Sequence, residues 1–273
     1  MAGDALIPGF RTVGAAVASA VVALLVSCSV ASANAVSGAR ETVRFDYTTS
    51  HVNTPTGLVY DLSIRNPGDP NAAPIPLRKI VLIAPAGVKS DPQIPSCSAS
   101  DMQFEFSGES ACPTATKLAT GNSVTRPLGG APFTSDVVIF KTADGQAMLI
   151  KFGNGGSAVV HTVIQGRVAT TEVPTCLTGG QPPSGCPTDE DAVVSSDLSY
   201  PARTSQNRIY LTTPASCPAS GTWQNVLSFT YADGVTDTVT TSQACSPGSS
   251  RRRHGHRPSR RHRRRHRPPR DLA

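Results

Sequence analysis

Cysteine is the residue whose number and spacing say most in this 273-residue chain. Cys28 lies near the N-terminus, and six more follow at Cys97, Cys112, Cys176, Cys186, Cys217 and Cys245. An even set in an exported chain predicts three disulfides, and six thiols allow fifteen connectivities. Local spacing favours sequential pairing. Cys97 and Cys112 bracket one loop-like stretch, Cys176 and Cys186 bracket the turn-forming LTGGQPPSG, and Cys217 and Cys245 flank a hairpin pattern. Zinc is the competing chemistry for cysteine. No pair has C-x-x-C spacing and no histidine stands at ligand distance, so a metal centre is not expected.

Acid–base chemistry has few candidates. Outside the C-terminal run the histidines are His51 and His161. His161 sits in the alternating apolar run AVVHTVIQG, which reads as a satisfied histidine of a sheet, and His51 sits in a polar turn. No G-x-S-x-G elbow, HExxH, Walker A or dinucleotide fingerprint occurs. Glu105 and Glu109, or Asp189-Glu190-Asp191, are the carboxylates a glycosidase would draw on, and the second group also suits a weak calcium site. The chain lacks the D-x-D-x-D-G loop, and a solvated turn is the plainer reading. Gly153 to Gly156 resembles a phosphate cradle only in composition, because strands rather than a helix follow it. No catalytic residue, metal or cofactor is therefore expected. An extracellular carbohydrate-active hydrolase stands as the alternative reading.

Charge is concentrated at one end. The chain carries 25 Lys+Arg against 19 Asp+Glu, a formal +6. Eleven arginines (Arg251, Arg252, Arg253, Arg257, Arg260, Arg261, Arg263, Arg264, Arg265, Arg267 and Arg270) against Asp271 leave +10 in residues 251–273 and −4 in residues 1–250. This run follows the linker-like Ser246-Pro247-Gly248-Ser249-Ser250 and has no apolar residue before Leu272, so it reads as a disordered tail. Extended, it would reach on the order of 75 Å. Such a run binds polyanions by counterion release, and its four histidines add charge below about pH 6.5. The expected partners are anionic cell-wall polymers or lipid headgroups. Without aromatics for base stacking, sequence-specific nucleic-acid recognition is not expected.

The N-terminus reads as an export signal. Arg11 precedes the uncharged run Val13 to Val26, and Ala33-Asn34-Ala35 supplies an A-x-A site with cleavage after Ala35. The apolar run is shorter than a spanning helix needs, so no transmembrane span is expected in the mature chain. Leu25-Val26-Ser27-Cys28 also resembles a lipobox, which would make Cys28 a lipidated N-terminus, and simple secretion is the favoured reading.

The elements that would position these groups are strands. Leu58, Tyr60, Leu62 and Ile64 alternate with polar residues, and Val43, Phe45 and Tyr47 do so just before, so the two runs are expected to pair. Ile80 to Ile83 is short and wholly apolar, a fully buried strand ended by Pro85. Val137 to Lys141 and Ala147 to Phe152 form a hairpin across Thr142 to Gln146, and Ala158 to Val168 continues it. Trp223, Leu227, Phe229 and Tyr231 share one side of a strand that turns at Ala232-Asp233-Gly234 and returns through Val235 and Val239. A short helix is allowed only near Ser98 to Phe106. Gly and Pro total 46 residues, which disfavours a helical bundle. About ten short strands with Gly/Pro turns imply an antiparallel sandwich or barrel-like fold, and the fold class expected is all-β: an antiparallel β-sandwich, disulfide-stapled, over residues 36–246, between a signal at 1–35 and the tail at 247–273.

Two blocks, Thr213 to Cys245 (TPASCPASGTWQNVLSFTYADGVTDTVTTSQAC) and Ala84 to Val124 (APAGVKSDPQIPSCSAS, then ACPTATKLATGNSV), resemble recurring segments of uncharacterised secreted proteins of high-GC Gram-positive bacteria. The resemblance implies a secreted β-rich chain and no activity. The expectation is a secreted or envelope-associated, non-catalytic module of undetermined ligand.

Overall fold

The structure is a computed structural model and describes residues 35–127, 130–153, 156–174, 191–204 and 206–247. The expected signal, the Cys176–Cys186 pairing, Asp189, Glu190 and the arginine tail lie outside the described residues.

The strands run β1 (Val36–Ser37), β2 (Glu41–Tyr47), β3 (Pro55–Thr56), β4 (Leu58–Ile64), β5 (Leu77–Ile83) and β6 (Lys89–Ser90). Helix α1 (Asp101–Ser107) interrupts them. Then follow β7 (Lys117–Arg126), β8 (Phe133–Lys141), β9 (Gly145–Lys151), β10 (Ser157–Gln165), β11 (Val168–Glu172) and β12 (Ala192–Tyr200). The set ends with β13 (Leu211–Thr212), β14 (Thr222–Tyr231) and β15 (Thr236–Ala244). Twelve of them form one sheet in the order β1-β2-β4-β12-β7-β8-β9-β10-β11-β5-β14-β15, and each adjacent pair is antiparallel.

The fold is all-β and antiparallel, as the alternation predicts, but the expected sandwich is corrected. A single sheet curls until its two ends meet, so β15 packs against β2. The apolar faces that a sandwich would press together instead face inward across one nearly closed barrel. Its core holds Val43, Leu62, Ile139, Ile150, Trp223 and Phe229, all nearly fully buried. Outward positions on β14 and β15 are hydroxyl-rich: Ser228 pairs with Thr238 (3.1 Å) and Thr230 with Thr236 (3.0 Å). That is the reverse of a membrane barrel, whose apolar band faces out. No helix among the described residues is long and apolar enough to cross a membrane.

No backbone ladder joins β15 to β2, and side chains close the seam instead. The Tyr47 N–H donates to Gln243 Oε1 and Gln243 Nε2 donates to the Tyr47 carbonyl, both at 2.8 Å. The buried Tyr231 hydroxyl donates to Glu41, and Arg40 covers the Tyr231 ring while pairing with Asp233 at 2.8 Å. A short bridge between His51 and Ser246 extends the seam.

The segment between β5 and β7 leaves the sheet and returns over its outer face. Ser100 caps α1 by accepting from the Gln103 N–H, while the Gln103 side chain accepts from the Ser100 N–H, a reciprocal capping box. Phe104 is buried on Phe140 at 5.6 Å between centroids, beside the Cys97–Cys112 disulfide. Cys217–Cys245 locks the open end of the β14–β15 hairpin, as expected. Two further expectations are adjusted. Leu77–Ile83 is a strand, but only Leu77 is fully buried, because the inner face of its later half looks into a cavity. Ala158 to Val168 is two strands, since Gly166 at φ +63° turns the chain between them.

Candidate ligand site at one end of the barrel

Twelve strands enclose more space than a single layer of inward side chains fills, so a barrel of this size either packs in depth or keeps a cavity. Here one end is packed and the other holds a cavity of about 220 Å³. Its walls come from the inward positions of facing strands: Phe45 of β2, Leu82 of β5, Met148 of β9, Ile164 of β10, Leu198 of β12 and Leu227 of β14. The small sheet β3-β13-β6 lies over this end, and Val88, Ser90, Tyr210 and Leu211 of that region reach the lining. Arg167, exposed in the β10–β11 turn, stands at the rim, and its carbonyl accepts from the Ala84 N–H at 2.9 Å.

Besides Ser90, the rim Arg167 and Tyr47, whose hydroxyl donates to Asn225 Oδ1 at 3.1 Å, polar side chains meet the cavity at two spots. In the first, the Tyr200 hydroxyl donates to Gln146 Oε1 and Gln146 Nε2 donates to the Tyr210 oxygen, both at 2.9 Å. The rings of Tyr200 and Tyr210 stack at 6.4 Å, 15° from parallel. Tyr60 joins this group from β4, its ring edge-on to Phe45 at 6.0 Å. Its hydroxyl oxygen is shut off from solvent and has no hydrogen-bond partner. The second spot is the hydroxyl pair Thr162–Thr171 at 2.7 Å. Burial pushes the Tyr60, Tyr200 and Tyr210 phenols above their ordinary range. For Tyr200 the neighbouring Tyr210 and then Tyr60 add to burial, which places the three phenols together. Each stays a neutral donor at physiological pH.

Gly145 brings Gln146 to this position. A Cβ at Gly145 would come within 1.9 Å of the Thr162 carbonyl oxygen, so only glycine lets β9 and β10 close here. The sequence pattern leaves Gln146 in a loop. The structure instead starts β9 at Gly145, and Gln146 takes the inward position opposite Thr162.

Among the described residues, no Asp, Glu, His, Lys or Cys lines the cavity. What the arrangement can do is hold an apolar body and make neutral hydrogen bonds to it. The carboxylates that the sequence offered for hydrolysis stand elsewhere. Glu105 is on the exposed side of α1. Glu109 accepts from Lys151 at 2.7 Å and from Lys117 at 3.0 Å, and the Lys151 bond leads in holding its carboxyl below the usual range. Asp191, which the sequence grouped with a solvated turn, is buried. His161 is satisfied, as expected of a sheet histidine, by Asp101 at 2.7 Å on the outer face of the barrel, and His51 is exposed.

Sequence reading missed the convergence of Tyr60, Gln146, Tyr200 and Tyr210. Its one available signal was Tyr60 at an inward step of an otherwise aliphatic run. Compared with known proteins, the chain matches no protein-family model, no curated protein and no solved structure.

Proposed function

We propose that the chain is an exported, non-catalytic β-barrel module that keeps a small ligand in the end cavity and is held to an anionic envelope by its Arg- and His-rich tail. The observation that carries this reading is the cavity itself: apolar walls, one tyrosine–glutamine cluster, and, among the described residues, a lining without carboxylate, imidazole or thiol. Export is supported by the Cys97–Cys112 and Cys217–Cys245 disulfides, which persist in oxidising compartments. Envelope retention rests on the confined charge between Arg251 and Arg270. Membership of the secreted group that the Thr213–Cys245 block resembles belongs to the same proposal.

Ligand holding is tested with ethylbenzene, a neutral probe of suitable size, followed in methyl carbon–proton spectra of the full chain. Saturable shifts at the Leu82, Ile164 and Leu198 methyls are expected, and Ala169→Phe, which fills the cavity from β11, should abolish them. The Trp223 indole signal reports that the variant still folds. Ethylbenzene that leaves these methyls unmoved, or moves them equally in Ala169→Phe, removes the ligand reading. Retention is tested by washing cells with rising salt. The full chain should elute at higher salt than a chain ending at Ser250, and identical elution removes the tether.

A further inference from the structure

Resting on the cavity as a ligand site, we propose that its occupant is a single-chain carboxylate of about eight carbons, with its alkyl chain inside the barrel and its head on Arg167 at the rim. The register of β11 places that arginine. Thr171 and Ala169 line the cavity opposite Ile80 and Leu82 of β5. Arg167 is the next step of the same inward column, because side chains alternate along a strand. Its carbonyl bond to the Ala84 N–H carries the ladder one pair further, and both residues belong to the lining.

Size and shape set the chain. From Arg167 down to Thr171 the wall runs about 13 Å at the rise of a strand, so the cavity is longer than a ring needs. An apolar cavity of about 150 Å³ holds the six carbons of benzene. By the same proportion about 220 Å³ holds roughly eight or nine. Ile80, Leu82, Met148, Ile164 and Leu198 give that chain apolar contact along its length. The polar side chains beside it bond one another, Tyr200 to Gln146 to Tyr210 and Thr162 to Thr171, and an alkyl chain breaks none of those bonds. The Tyr60 hydroxyl oxygen is shut off and takes no part.

Charge sets the head. Among the described residues Arg167 is the one cation of the lining, is exposed, and has no carboxylate partner. The acids bordering the mouth are engaged by other groups. Asp144, whose carbonyl accepts from the Ile164 N–H, accepts at its carboxylate from the Thr142 hydroxyl at 2.9 Å. Asp91, next to Ser90, accepts from Arg208 at 3.2 Å. A carboxylate on Arg167 stays at the rim in contact with water, so it avoids the cost of burying a charge. One guanidinium balances one negative charge, and its planar fork matches the two carboxylate oxygens. A phosphate monoester, at about −1.5 to −2, would be left partly unbalanced. Ser90, also exposed, adds a hydroxyl to the lining.

The test follows the Leu82, Ile164 and Leu198 methyls of the full chain with octanoate, octan-1-ol and octylammonium, and repeats the titrations on Arg167→Gln and Arg167→Lys. These methyls line the cavity, so octanoate gathered by the arginine tail leaves them unmoved. The Trp223 indole signal reports that each variant folds. Octanoate should bind, and Arg167→Gln should weaken it about three- to tenfold, the worth of one charge-assisted contact. Arg167→Lys keeps the charge without the fork and should lie between. Raising salt from about 20 to about 500 mM should weaken octanoate alone. Octan-1-ol should bind all three proteins within about twofold, because apolar contact is unchanged. Octanoate held equally by the native chain and Arg167→Gln overturns the head assignment, while octan-1-ol binding keeps the ligand site. Octylammonium binding as tightly as octanoate overturns the choice of an anion. If none of the three moves the cavity methyls, the cavity reading itself fails.

Discussion

At the barrel seam the carboxamide of Gln243 takes the place of a backbone strand. Its oxygen accepts from the Tyr47 N–H and its nitrogen donates to the Tyr47 carbonyl, the two contacts a neighbouring strand would make. Gln243→Met keeps the length of the side chain and removes both bonds, leaving two buried backbone groups unpaired. The expected loss is about 2–4 kcal/mol, seen as a lower denaturation midpoint with an unchanged denaturant slope; a change below about 0.5 kcal/mol would mean water takes over the seam. Residues of this kind are hard to recognise in a sequence. Tyr60 could be assigned inward because it alternates with Val59 and Asp61, and period two fixes direction. Gln146 could not be joined to Tyr200 and Tyr210, which are 54 and 64 positions away along the chain, by any local rule. Polar clusters inside a barrel are made by register between distant strands, and spacing along one strand does not encode them.

Among the elements, those closed by local chemistry were legible. The Asp-Gly steps at Asp144 and Asp233 mark the β8–β9 and β14–β15 hairpins, and both form. Ser98 to Phe106 was the one permitted helix, and α1 begins there after its Ser100–Gln103 capping box. The pairings β5–β11, β5–β14 and β12–β4 have no turn between their partners, so nothing local announced them. The same gap explains the sandwich expectation: alternation shows that one face is buried, not whether another sheet or the far wall of the same sheet covers it. Helix α1 shows how unevenly energy is distributed along one element. Phe104 is 1% exposed against Phe140, whereas Phe106, half a turn away, is 84% exposed. Phe104→Ala should cost about 3–5 kcal/mol and release the segment from the barrel wall. Phe106→Ser should stay within about 0.5 kcal/mol. Thermal unfolding of the two variants checks this, and comparable losses would mean that Phe106 has a partner surface.

For the molecule as a whole, four of the five tyrosines, Tyr47, Tyr60, Tyr200 and Tyr231, lie on barrel strands and Tyr210 lies next to β13 over the barrel end, and burial is the leading cause that pushes each phenol upward. The sign of the linkage follows from which state can lose the proton. In the unfolded chain a phenol ionises near pH 10; in the folded chain burial holds all five above that. Stability is therefore untouched below about pH 10 and falls as pH rises beyond it, because the unfolded state then binds fewer protons. Each phenol held neutral contributes a loss of about 1.4 kcal/mol by pH 11, so a few of them together approach the stability of an ordinary domain. Lys151, raised by its bond to Glu109, shifts in the same sense. The barrel should accordingly unfold in one cooperative step near pH 11 with its tyrosines still protonated up to that point. Phenolate ultraviolet absorbance and the circular dichroism of the sheet, followed together through an alkaline titration, should change at the same pH. A gradual phenolate rise centred near pH 10 with the sheet signal intact would show that the cluster around Gln146 is open to solvent, and both the closed seam and the neutral character of the cavity would fall with it.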